Sequence, residues 1–452
     1  LALYAPSLKA PEAAEWLRAR IRAFAPDAIV NATAFSGRGE GEPSPLDAGG
    51  VPVFQVTLAT STRKAWAEAE RGLSPTDLAM HVVLPEVDGR ITGGVVSFKE
   101  PGQRDPHLEF ARAAHRAEEE RIKSVVARVG GWLQLARSAS ADRRVALILS
   151  TYPGKDWNMG HAVGLDAPAS AEAMLADLAG AGYDVSPACA DLAQTLQARE
   201  VRWPLAAYRA ALDRLPQSLR DALASTWGPP EDDPDCDRDG FRFAVAHRGK
   251  ALVALQPERG APQTRDDDYH DLSRTPRHAY VAFYLWLQQQ ADALVHIGAH
   301  GTLEWLPGKS VALSAACWPK ALTGTLPVIY PFIVNGPGEA AQAKRRLGAL
   351  TLGHVPPPLR ESGTPDRLAR LEALLDEFSN ADGLDPRRRD RLQSDIRDEA
   401  QALVKQAAQS GKDLATALDL AHELGVPNAL AVDSFQNRKR VLEPQYSQVR
   451  TP

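Results

Sequence analysis

The chain has 452 residues, of which 44% are hydrophobic and 24% are charged. These proportions are ordinary for a globular protein and exclude a disordered, collagen-like or coiled-coil chain. The net charge of −5 argues against a general nucleic-acid binder, and no stretch approaches the roughly 18 apolar residues that a membrane span needs.

The first part of the chain alternates between helical and strand patterns. Apolar residues recur at helical spacing in 10–24, and the apolar runs 27–33 and 51–57 are typical of strands. A helix is predicted over 61–71, and a long polar helix over 105–137. Alternation at this pitch predicts a parallel, doubly wound sheet.

A buried strand is predicted over 144–150, followed by a glycine-bearing loop at 151–160 and a helix over 167–181. In α/β proteins with this order of strand, loop and helix, ligands bind at the carboxyl ends of the parallel strands. Short helices are predicted over 187–226. The segment 241–256 is predicted to form a hairpin that turns at 248–250.

The last part of the chain alternates between helices and strands before it becomes helical. The predicted elements are a helix over 276–291, a strand over 293–297, a short helix over 302–306, a strand over 327–334, a helix over 338–350 and a nearly all-helical stretch over 364–424. The predicted fold class is multidomain α/β, with parallel doubly wound sheet units and a helical C-terminal segment. The predicted domains are an α/β domain with a long connecting helix at 1–140, an α/β unit at 141–235, an α/β domain at 236–360 and a mainly helical segment at 361–452 that continues into further chain.

The cysteines and the start of the chain bear on its location. Cys189, Cys236 and Cys317 are far apart and odd in number, without a CxxC pair. This excludes a disulfide scaffold and a zinc finger, and it predicts a reducing, cytoplasmic location. The chain begins at Leu1 without a signal-peptide pattern, so we expect a processed N-terminus or a piece of a longer chain.

Two motifs resemble well-known sites but lack essential positions. The segment 308–310 (Gly-Lys-Ser) matches the end of a P-loop, but the leading glycine is replaced by Leu303 and Pro307 intrudes. No ATP-binding loop of that type is therefore visible. The acidic segment 235–240 resembles the first half of a calcium loop, but its twelfth position is Ala246, so a solvated acidic turn is the better interpretation.

The segment 291–310 is the most informative for chemistry. It contains His296, His300 and Glu304, spaced by four. The glycines at 298 and 301 break a helix, so we predict a strand that ends at His296, a glycine loop that carries His300 and a short helix that carries Glu304. Imidazole and carboxylate groups bind divalent first-row metals and act as general bases. A purely structural alternative is that His296 caps the strand and Glu304 pairs with Lys309.

The segment HIGAHGTLEWLPGKSVALS (296–314) closely resembles the signature of the large subunits in the family of CobN and the H subunit of magnesium chelatase. Other blocks are similar to the same family in the same order, and they are 72–80, 84–91, 158–160, 256–260, 269–271, 276–280, 330–346, 353–358 and 433–438. Ala299, Trp305 and Ser310 stand where the magnesium branch has Thr, Phe and Gln, which favours the cobalt branch.

The resemblance implies a subunit of an ATP-dependent cobaltochelatase that inserts Co²⁺ into hydrogenobyrinic acid a,c-diamide in cobalamin biosynthesis. In such a complex the large subunit binds the macrocycle and the metal. Two smaller AAA+-type subunits (CobS/CobT-like) hydrolyse ATP with Mg²⁺, which agrees with the missing P-loop. The alternatives are insertion of Mg²⁺ into protoporphyrin IX and a non-catalytic tetrapyrrole-binding module. Because the family's large subunits are much longer than 452 residues, we expect a central fragment.

The resemblance also implies site residues. His296, His300 and Glu304 are expected to be metal ligands or proton acceptors, with Glu304 as the favoured base, and His270 and His278 are second-rank metal ligands. The expected substrate-binding residues are Trp305 on a ring face, Arg259, Arg277 and Lys309 at rim carboxylates, Asn158 and Asn335 at rim amides, and Gln256 in the block 256–260. A structural role is the open alternative for each of them.

Overall fold

The computed structural model describes residues 1–39, 42–150, 166–186, 192–199, 201–260, 271–298, 301–332, 337–353, 370–371, 373–374, 377 and 386–410. The chain divides into two compact units, Leu1–Val355 and Pro356–Pro452. Helices and largely parallel sheets build the first unit, so the predicted α/β fold class is confirmed.

An N-terminal sheet contains four strands of the described chain, in the order β1-β2-β3-β4. Their bounds are Ile29–Asn31 for β1, Val53–Ala59 for β2, Ile91–Asp105 for β3 and Phe110–Ala117 for β4. Strands β1 to β3 are parallel, and β4 pairs antiparallel with β3. The predicted helix over 105–137 is therefore wrong in its first part, because helix α5 (defined below) begins only at Glu119. Residues 110–117 are almost entirely exposed, so pairing with β3, rather than an apolar pattern, determines their conformation.

The described residues of this part form five α-helices, and the predicted helix over 61–71 is shorter, at Arg63–Glu68. Their bounds are Pro11–Phe24 for α1, Arg63–Glu68 for α2, Pro75–Leu78 for α3, Leu84–Val87 for α4 and Glu119–Arg137 for α5, with a π-helical turn at Ala79–Val83 and 3₁₀ turns at Pro45–Gly49 and Ser140–Asp142. Helix α1 buries Ala14, Leu17 and Ile21, which lie on one face at helical spacing. The Thr62 hydroxyl caps α2 by accepting a hydrogen bond from the Ala65 amide at 3.2 Å.

A central sheet contains six strands of the described chain, in the order β13-β12-β11-β5-β10-β9. Their bounds are Val145–Leu149 for β5, Val245–Arg248 for β9, Ala251–Leu255 for β10, Ala293–Ile297 for β11, Val328–Phe332 for β12 and Leu350–Gly353 for β13. Neighbouring strands are parallel except for β9 with β10, which form the predicted hairpin. Strand β5 is buried at all five residues, as expected for a parallel strand that is covered on both faces.

The two faces of β5 pack into two separate apolar cores. Ala146 and Ile148 lie in one core with helices α8 (Leu205–Leu212), α9 (Gln217–Trp227) and α10 (His278–Gln290). The alternate residues Val145, Leu147 and Leu149 lie in the other core, with α6 (Ala167–Gly180) and α7 (Leu192–Ala198). This is the doubly wound arrangement that the sequence predicts.

The remaining elements connect to these cores. A small antiparallel sheet among the described residues has the order β6-β8-β7, with bounds Val201–Pro204, Gly240–Phe243 and Cys236–Asp237 respectively. The other helical segments are the 3₁₀ turns Pro230–Asp232 and Leu303–Trp305, α11 (Trp318–Thr323), α12 (Pro337–Gln342) and a π-helical turn at Ala343–Leu347. The predicted helix over 338–350 ends before Gly348, whose φ is +66°, and the following residues form β13.

The predicted intervals 141–235 and 236–360 share the central sheet, because β5 pairs with both β10 and β11. In the second unit, helix α13 (Pro386–Ser410) lies in the predicted helical segment, and Arg370 forms an ion pair with Glu399 at 3.1 Å. Among the described helices, none combines the length and the apolar character that a membrane crossing requires.

Candidate functional site

His296 lies near the carboxyl end of β11 and is completely buried. Its imidazole is sandwiched between the rings of Tyr330, at 5.6 Å between centroids, and Tyr284, at 6.3 Å, and all three rings are nearly parallel. The Tyr284 hydroxyl is 3.4 Å from His296 Nε2. These contacts hold the imidazole in one orientation.

Glu304 is carried by the 3₁₀ turn that follows the glycine loop, and its side chain is also completely buried. Its Oε1 atom accepts hydrogen bonds from the Gly301 amide at 2.9 Å and from the Tyr330 hydroxyl at 3.2 Å. Tyr330 therefore contacts both the imidazole and the carboxyl group.

A polar atom of His296 and one of Glu304 come close together beside Gly301. A Cβ atom on Gly301 would lie 3.0 Å from Glu304 Oε2, 3.2 Å from His296 Nδ1 and 3.3 Å from the Tyr330 hydroxyl. Within the described chain, neither His296 Nδ1 nor Glu304 Oε2 has a hydrogen-bond partner, although both are buried. Such groups are rare in native interiors, so this pair has the character of a functional site.

Burial has opposite effects on the pKa values of the two groups. It lowers the pKa of His296 to about 4, so the imidazole is neutral near pH 7 and keeps a lone pair. It raises the pKa of Glu304, and the hydrogen bonds from Gly301 and Tyr330 oppose this rise. Glu339 on α12 is half-buried, and burial together with the nearby Glu304 raises its pKa to about 7. Its position inside the similar block 330–346 was the only sequence signal for Glu339.

A buried polar network supports the imidazole from the neighbouring strand. Gln256 follows β10 and donates hydrogen bonds to the hydroxyls of Tyr280, at 3.1 Å, and Tyr284. The Thr302 hydroxyl donates to Gln256 Oε1 at 3.0 Å and lies 2.8 Å from the Tyr280 hydroxyl. Gln256, which the sequence predicts to bind substrate, is only 1% exposed. It is linked to His296 through the Tyr284 hydroxyl.

A buried guanidinium holds the backbone that carries Glu304. Arg346, in the π-helical turn after α12, is 2% exposed and donates to the carbonyl groups of Glu304, Leu306, Gly308 and Lys309. Burial lowers its pKa to about 10, so it remains charged near neutral pH. Sequence reasoning did not single out Arg346, because only the tertiary fold brings it to residues 304–309.

The structure does not bring three of the predicted residues to the His296–Glu304 pair, because each is engaged elsewhere. Both ring nitrogens of His278 are occupied, Nδ1 by the Tyr208 hydroxyl at 2.6 Å and Nε2 by the Gly228 carbonyl at 3.0 Å. A nitrogen that is occupied in this way cannot also bind a metal.

The other two residues with different partners are Arg277 and Lys309. Arg277 forms buried ion pairs with Asp233, at 3.0 Å, and Asp235, rather than facing an open cleft. Lys309 Nζ donates to the carbonyl groups of Ala67 and Ala69 at the end of α2, at 2.9 and 2.6 Å, instead of pairing with Glu304.

Arg259 and Trp305 are close to one another beside the pair. Arg259 is 5% exposed and donates to the Trp305 carbonyl at 3.1 Å and to the Asp271 carbonyl. Trp305 is half-buried and directly follows Glu304. Among the predicted site residues, His300, His270, Asn158 and Asn335 lie outside the described residues. Within the described chain, no three His, Cys, Asp or Glu side chains are grouped so that they could hold a metal ion.

The site lies at the carboxyl edge of the central sheet. His296 is in β11, Tyr330 is in β12, and Gln256 directly follows β10. After β5 the chain first adds β10 on one side of β5 and later adds β11 on its other side. This reversal of direction in the sheet makes the carboxyl end of β5 a topological switch point. The fold and the site define a doubly wound α/β protein with a buried imidazole–carboxylate pair at that point.

The family model CobN/Magnesium Chelatase matches residues 2–424, and the chain belongs to that family.

Individual relatives agree with this assignment. The chain is 40% identical to the aerobic cobaltochelatase subunit CobN of a Sinorhizobium species, over 98% of this chain and 35% of the relative. It is 44% identical to the aerobic cobaltochelatase subunit CobN of Pseudomonas aeruginosa, over 76% of this chain and 29% of the relative.

A solved structure, the catalytic subunit of cobaltochelatase from Mycobacterium tuberculosis, is also similar. It aligns with a TM-score of 0.67 and 34% identity, over 92% of this chain and 37% of that chain. The chain spans about a third of the length of the curated relatives that it matches.

Proposed function

We propose that this chain is the metal-inserting part of an ATP-dependent cobaltochelatase, which inserts Co²⁺ into hydrogenobyrinic acid a,c-diamide in cobalamin biosynthesis. The observation that carries the proposal is the convergence beside Gly301 of two buried atoms, His296 Nδ1 and Glu304 Oε2, that have no hydrogen-bond partner among the described residues. The similarity to CobN subunits supports cobalt as the metal.

The reaction sets two physical requirements that this pair meets. The ring nitrogens lose protons as the metal enters, so a proton acceptor must lie near the centre of the ring. The incoming metal must exchange water for transient protein ligands, and it must not be held too tightly to leave. A neutral imidazole and a carboxylate are suitable donors for Co²⁺, and a small number of donors leaves coordination positions open for the ring.

In this proposal the two groups have different roles. His296 offers Nδ1 as a metal donor, because its low pKa keeps the imidazole neutral. Glu304 is the proton acceptor, since its raised pKa brings its proton affinity closer to neutral pH and two hydrogen bonds fix its other oxygen. Glu339, with a pKa of about 7, is the next acceptor toward the surface. His300 is proposed as a further metal donor, and His270 is second to it.

Recognition of the ring is assigned to fewer residues than the sequence predicts. Trp305 is proposed to pack on a face of the macrocycle, because it is half-buried next to Glu304. Asn158 and Asn335 are proposed to bond rim amides. Arg259, Arg277, Lys309 and Gln256 are left out, because their side chains form hydrogen bonds or ion pairs with other groups of the protein.

The proposal includes partners and a location. Two AAA+-type subunits are proposed to bind and hydrolyse ATP with Mg²⁺, which is supported by the description of the CobN relatives as subunits. A cytoplasmic location is proposed from the three widely spaced cysteines, of which Cys236 and Cys317 are free thiols. Cell fractionation with an antibody to the chain tests the location.

The test of the function is a spectroscopic insertion assay with the complete large subunit and its two ATPase partners. Adding Co²⁺ and ATP is expected to change the visible spectrum of hydrogenobyrinic acid a,c-diamide. A ring that binds without any spectral change would refute the enzymatic proposal in favour of a tetrapyrrole-binding module. Reaction of Mg²⁺ with protoporphyrin IX in its place would refute the choice of cobalt.

A Glu304→Gln variant tests the role of the site within the same assay. We expect it to abolish insertion while ring affinity, measured by fluorescence quenching, stays within about three-fold of wild type. Glu172→Gln is the matched control, because both carboxylate oxygens of Glu172 on α6 accept hydrogen bonds from Arg248 on β9, at 2.8 and 3.1 Å. Wild-type turnover of Glu304→Gln would contradict the assignment of Glu304.

A further inference from the structure

The backbone of residues 304–309, which begins at the residue with the buried carboxyl group, is held mainly by one side chain from a distant part of the chain, while Arg259 adds one bond to the Trp305 carbonyl. Arg346 reaches four of its carbonyl oxygens, and the distances to Leu306, Gly308 and Lys309 are 2.7, 3.1 and 3.2 Å. The fourth acceptor is the carbonyl of Glu304 itself. The contacts span 37 to 42 residues of sequence separation, so they form only in the folded protein.

The chemistry of this contact is unusual for an arginine. A buried guanidinium is normally paired with a carboxylate, because burying an unpaired charge is costly. Among the described residues, Arg346 has no carboxylate within ion-pair distance. Four hydrogen bonds from its guanidinium instead satisfy carbonyl groups of a 3₁₀ turn and the irregular loop after it, which have no partners from a regular helix.

The neighbouring arginine has a different function in the structure. Arg345 pairs with Glu86 of α4 through both carboxylate oxygens, with a closest contact of 2.8 Å. Both arginines lie in the π-helical turn Ala343–Leu347, and such turns are frequent at functional sites. Arg345 thus connects the turn to the N-terminal part of the unit, while Arg346 connects it to the loop of Glu304.

We propose that Arg346 is a positioning residue for metal insertion, which acts by fixing the backbone of residues 304–309 and thereby the place of the Glu304 carboxyl group beside Gly301. This inference rests on the proposed function. A carboxyl group that is misplaced by about 1 Å can reduce a rate by about 100-fold. The rigid attachment at four carbonyl groups is suited to prevent such a displacement.

The experiment compares Arg346→Lys with Arg345→Lys in the complete large subunit. Lysine keeps the charge but cannot reach four carbonyl groups at once, and it avoids the folding failure expected when the charge is deleted. Amide hydrogen exchange, followed by mass spectrometry on peptides that cover 303–310, reports the attachment without any need for activity. Insertion turnover and the KM for the ring are then measured with the ATPase partners, and thermal melting checks the fold.

We expect Arg346→Lys to speed exchange in 303–310 by at least about ten-fold. We also expect it to lower turnover at saturating ring by at least about ten-fold with KM nearly unchanged, and to lower the melting temperature while melting stays cooperative, because buried carbonyl groups lose their donors. Arg345→Lys is expected to leave exchange in 303–310 and turnover within about two-fold of wild type.

Unchanged exchange in Arg346→Lys would overturn the inference, and so would faster exchange with wild-type turnover or an identical pattern in Arg345→Lys. If the wild-type complex inserts no cobalt, the proposed function itself fails. In that case the exchange data still decide whether Arg346 fixes the loop.

Discussion

The imidazole of His296 and the phenol ring of Tyr330 stack with centroids 5.6 Å apart and an angle of 6° between their planes. The parallel register pairs Leu294 with Val328 and Val295 with Ile329, and its continuation places His296 beside Tyr330. Because the Tyr330 hydroxyl also donates to Glu304, strand β12 organises both members of the pair.

The hydroxyl of Tyr330 is expected to set the pH range of the reaction. Burial raises the pKa of Glu304, and the hydrogen bond from Tyr330 counteracts this, so Tyr330→Phe should raise that pKa further. A base works in its deprotonated form, so the insertion rate should rise with pH as Glu304 loses its proton. In Tyr330→Phe this rise should occur at higher pH, as measured by initial rates between about pH 5 and about pH 8.

Tyr280→Phe is the matched control for the pH profile, because the Tyr280 hydroxyl contacts Thr302 and Gln256 rather than Glu304. Its profile should keep the wild-type midpoint. An unchanged midpoint in Tyr330→Phe would contradict the link between this hydroxyl and Glu304.

A side chain at Gly301 is expected to crowd the two groups beside it. The Cβ atom of Gly301→Ala would lie 3.0 Å from Glu304 Oε2 and 3.2 Å from His296 Nδ1, and thus in the space between them. We expect a loss of about 1–3 kcal/mol in the free energy of unfolding and at least about a 100-fold loss of insertion rate. Gly338→Ala on α12 is the control, since its Cβ would meet no atom of the described residues within 4 Å and should leave both quantities near wild type.

The buried imidazole should make the protein sensitive to mild acid. The pKa of His296 falls from 6.5 to about 4 on folding, so the unfolded chain binds a proton more readily than the folded one. The contribution of His296 to the free energy of unfolding is complete above about pH 6.5. It decreases by roughly 3 kcal/mol as the pH falls to about 4. His296→Gln lacks this contribution. Urea unfolding should therefore show the free-energy difference between wild type and variant shrinking over that range, and a constant difference would refute the assignment.

Lys309 is expected to act in stability rather than in ring binding. Its ammonium group donates to two carbonyl groups at the end of α2, where a cation also interacts favourably with the helix dipole. Lys309→Met should lower the free energy of unfolding by about 1–2 kcal/mol and leave ring affinity within about two-fold. Weaker ring binding with unchanged stability would instead support the sequence-based prediction of a rim contact.

The fold could be predicted where the pattern of one segment decides its structure. The apolar run of β5, the strand that contains His296 and the short turn that carries Glu304 are of this kind, and all three are confirmed. The antiparallel pair formed by the end of β3 and β4 could not be predicted, because its exposed side chains have no core-facing pattern and only pairing makes it a strand.

The same distinction applies to the site. The spacing of His296 and Glu304 predicted that they would converge, and the structure brings them together at Gly301. Tyr330 and Arg346 were not predicted, because their contacts depend on the register of β12 and on the path of the chain after it. The chemistry of Lys309 and Arg277 suggested ligand binding, whereas their partners are other parts of the same chain.

The position of β5 between β10 and β11 constrains the order in which the sheet folds during synthesis. Strand β5 leaves the ribosome about 100 residues before β10 and about 150 before β11, its two neighbours in the sheet. At the usual rate of about 5–20 residues per second, its five apolar side chains wait roughly 10–30 seconds for the second of these neighbours. Both edges of β5 are therefore paired only after β11 has been synthesised, so this strand is completed late although it is made early.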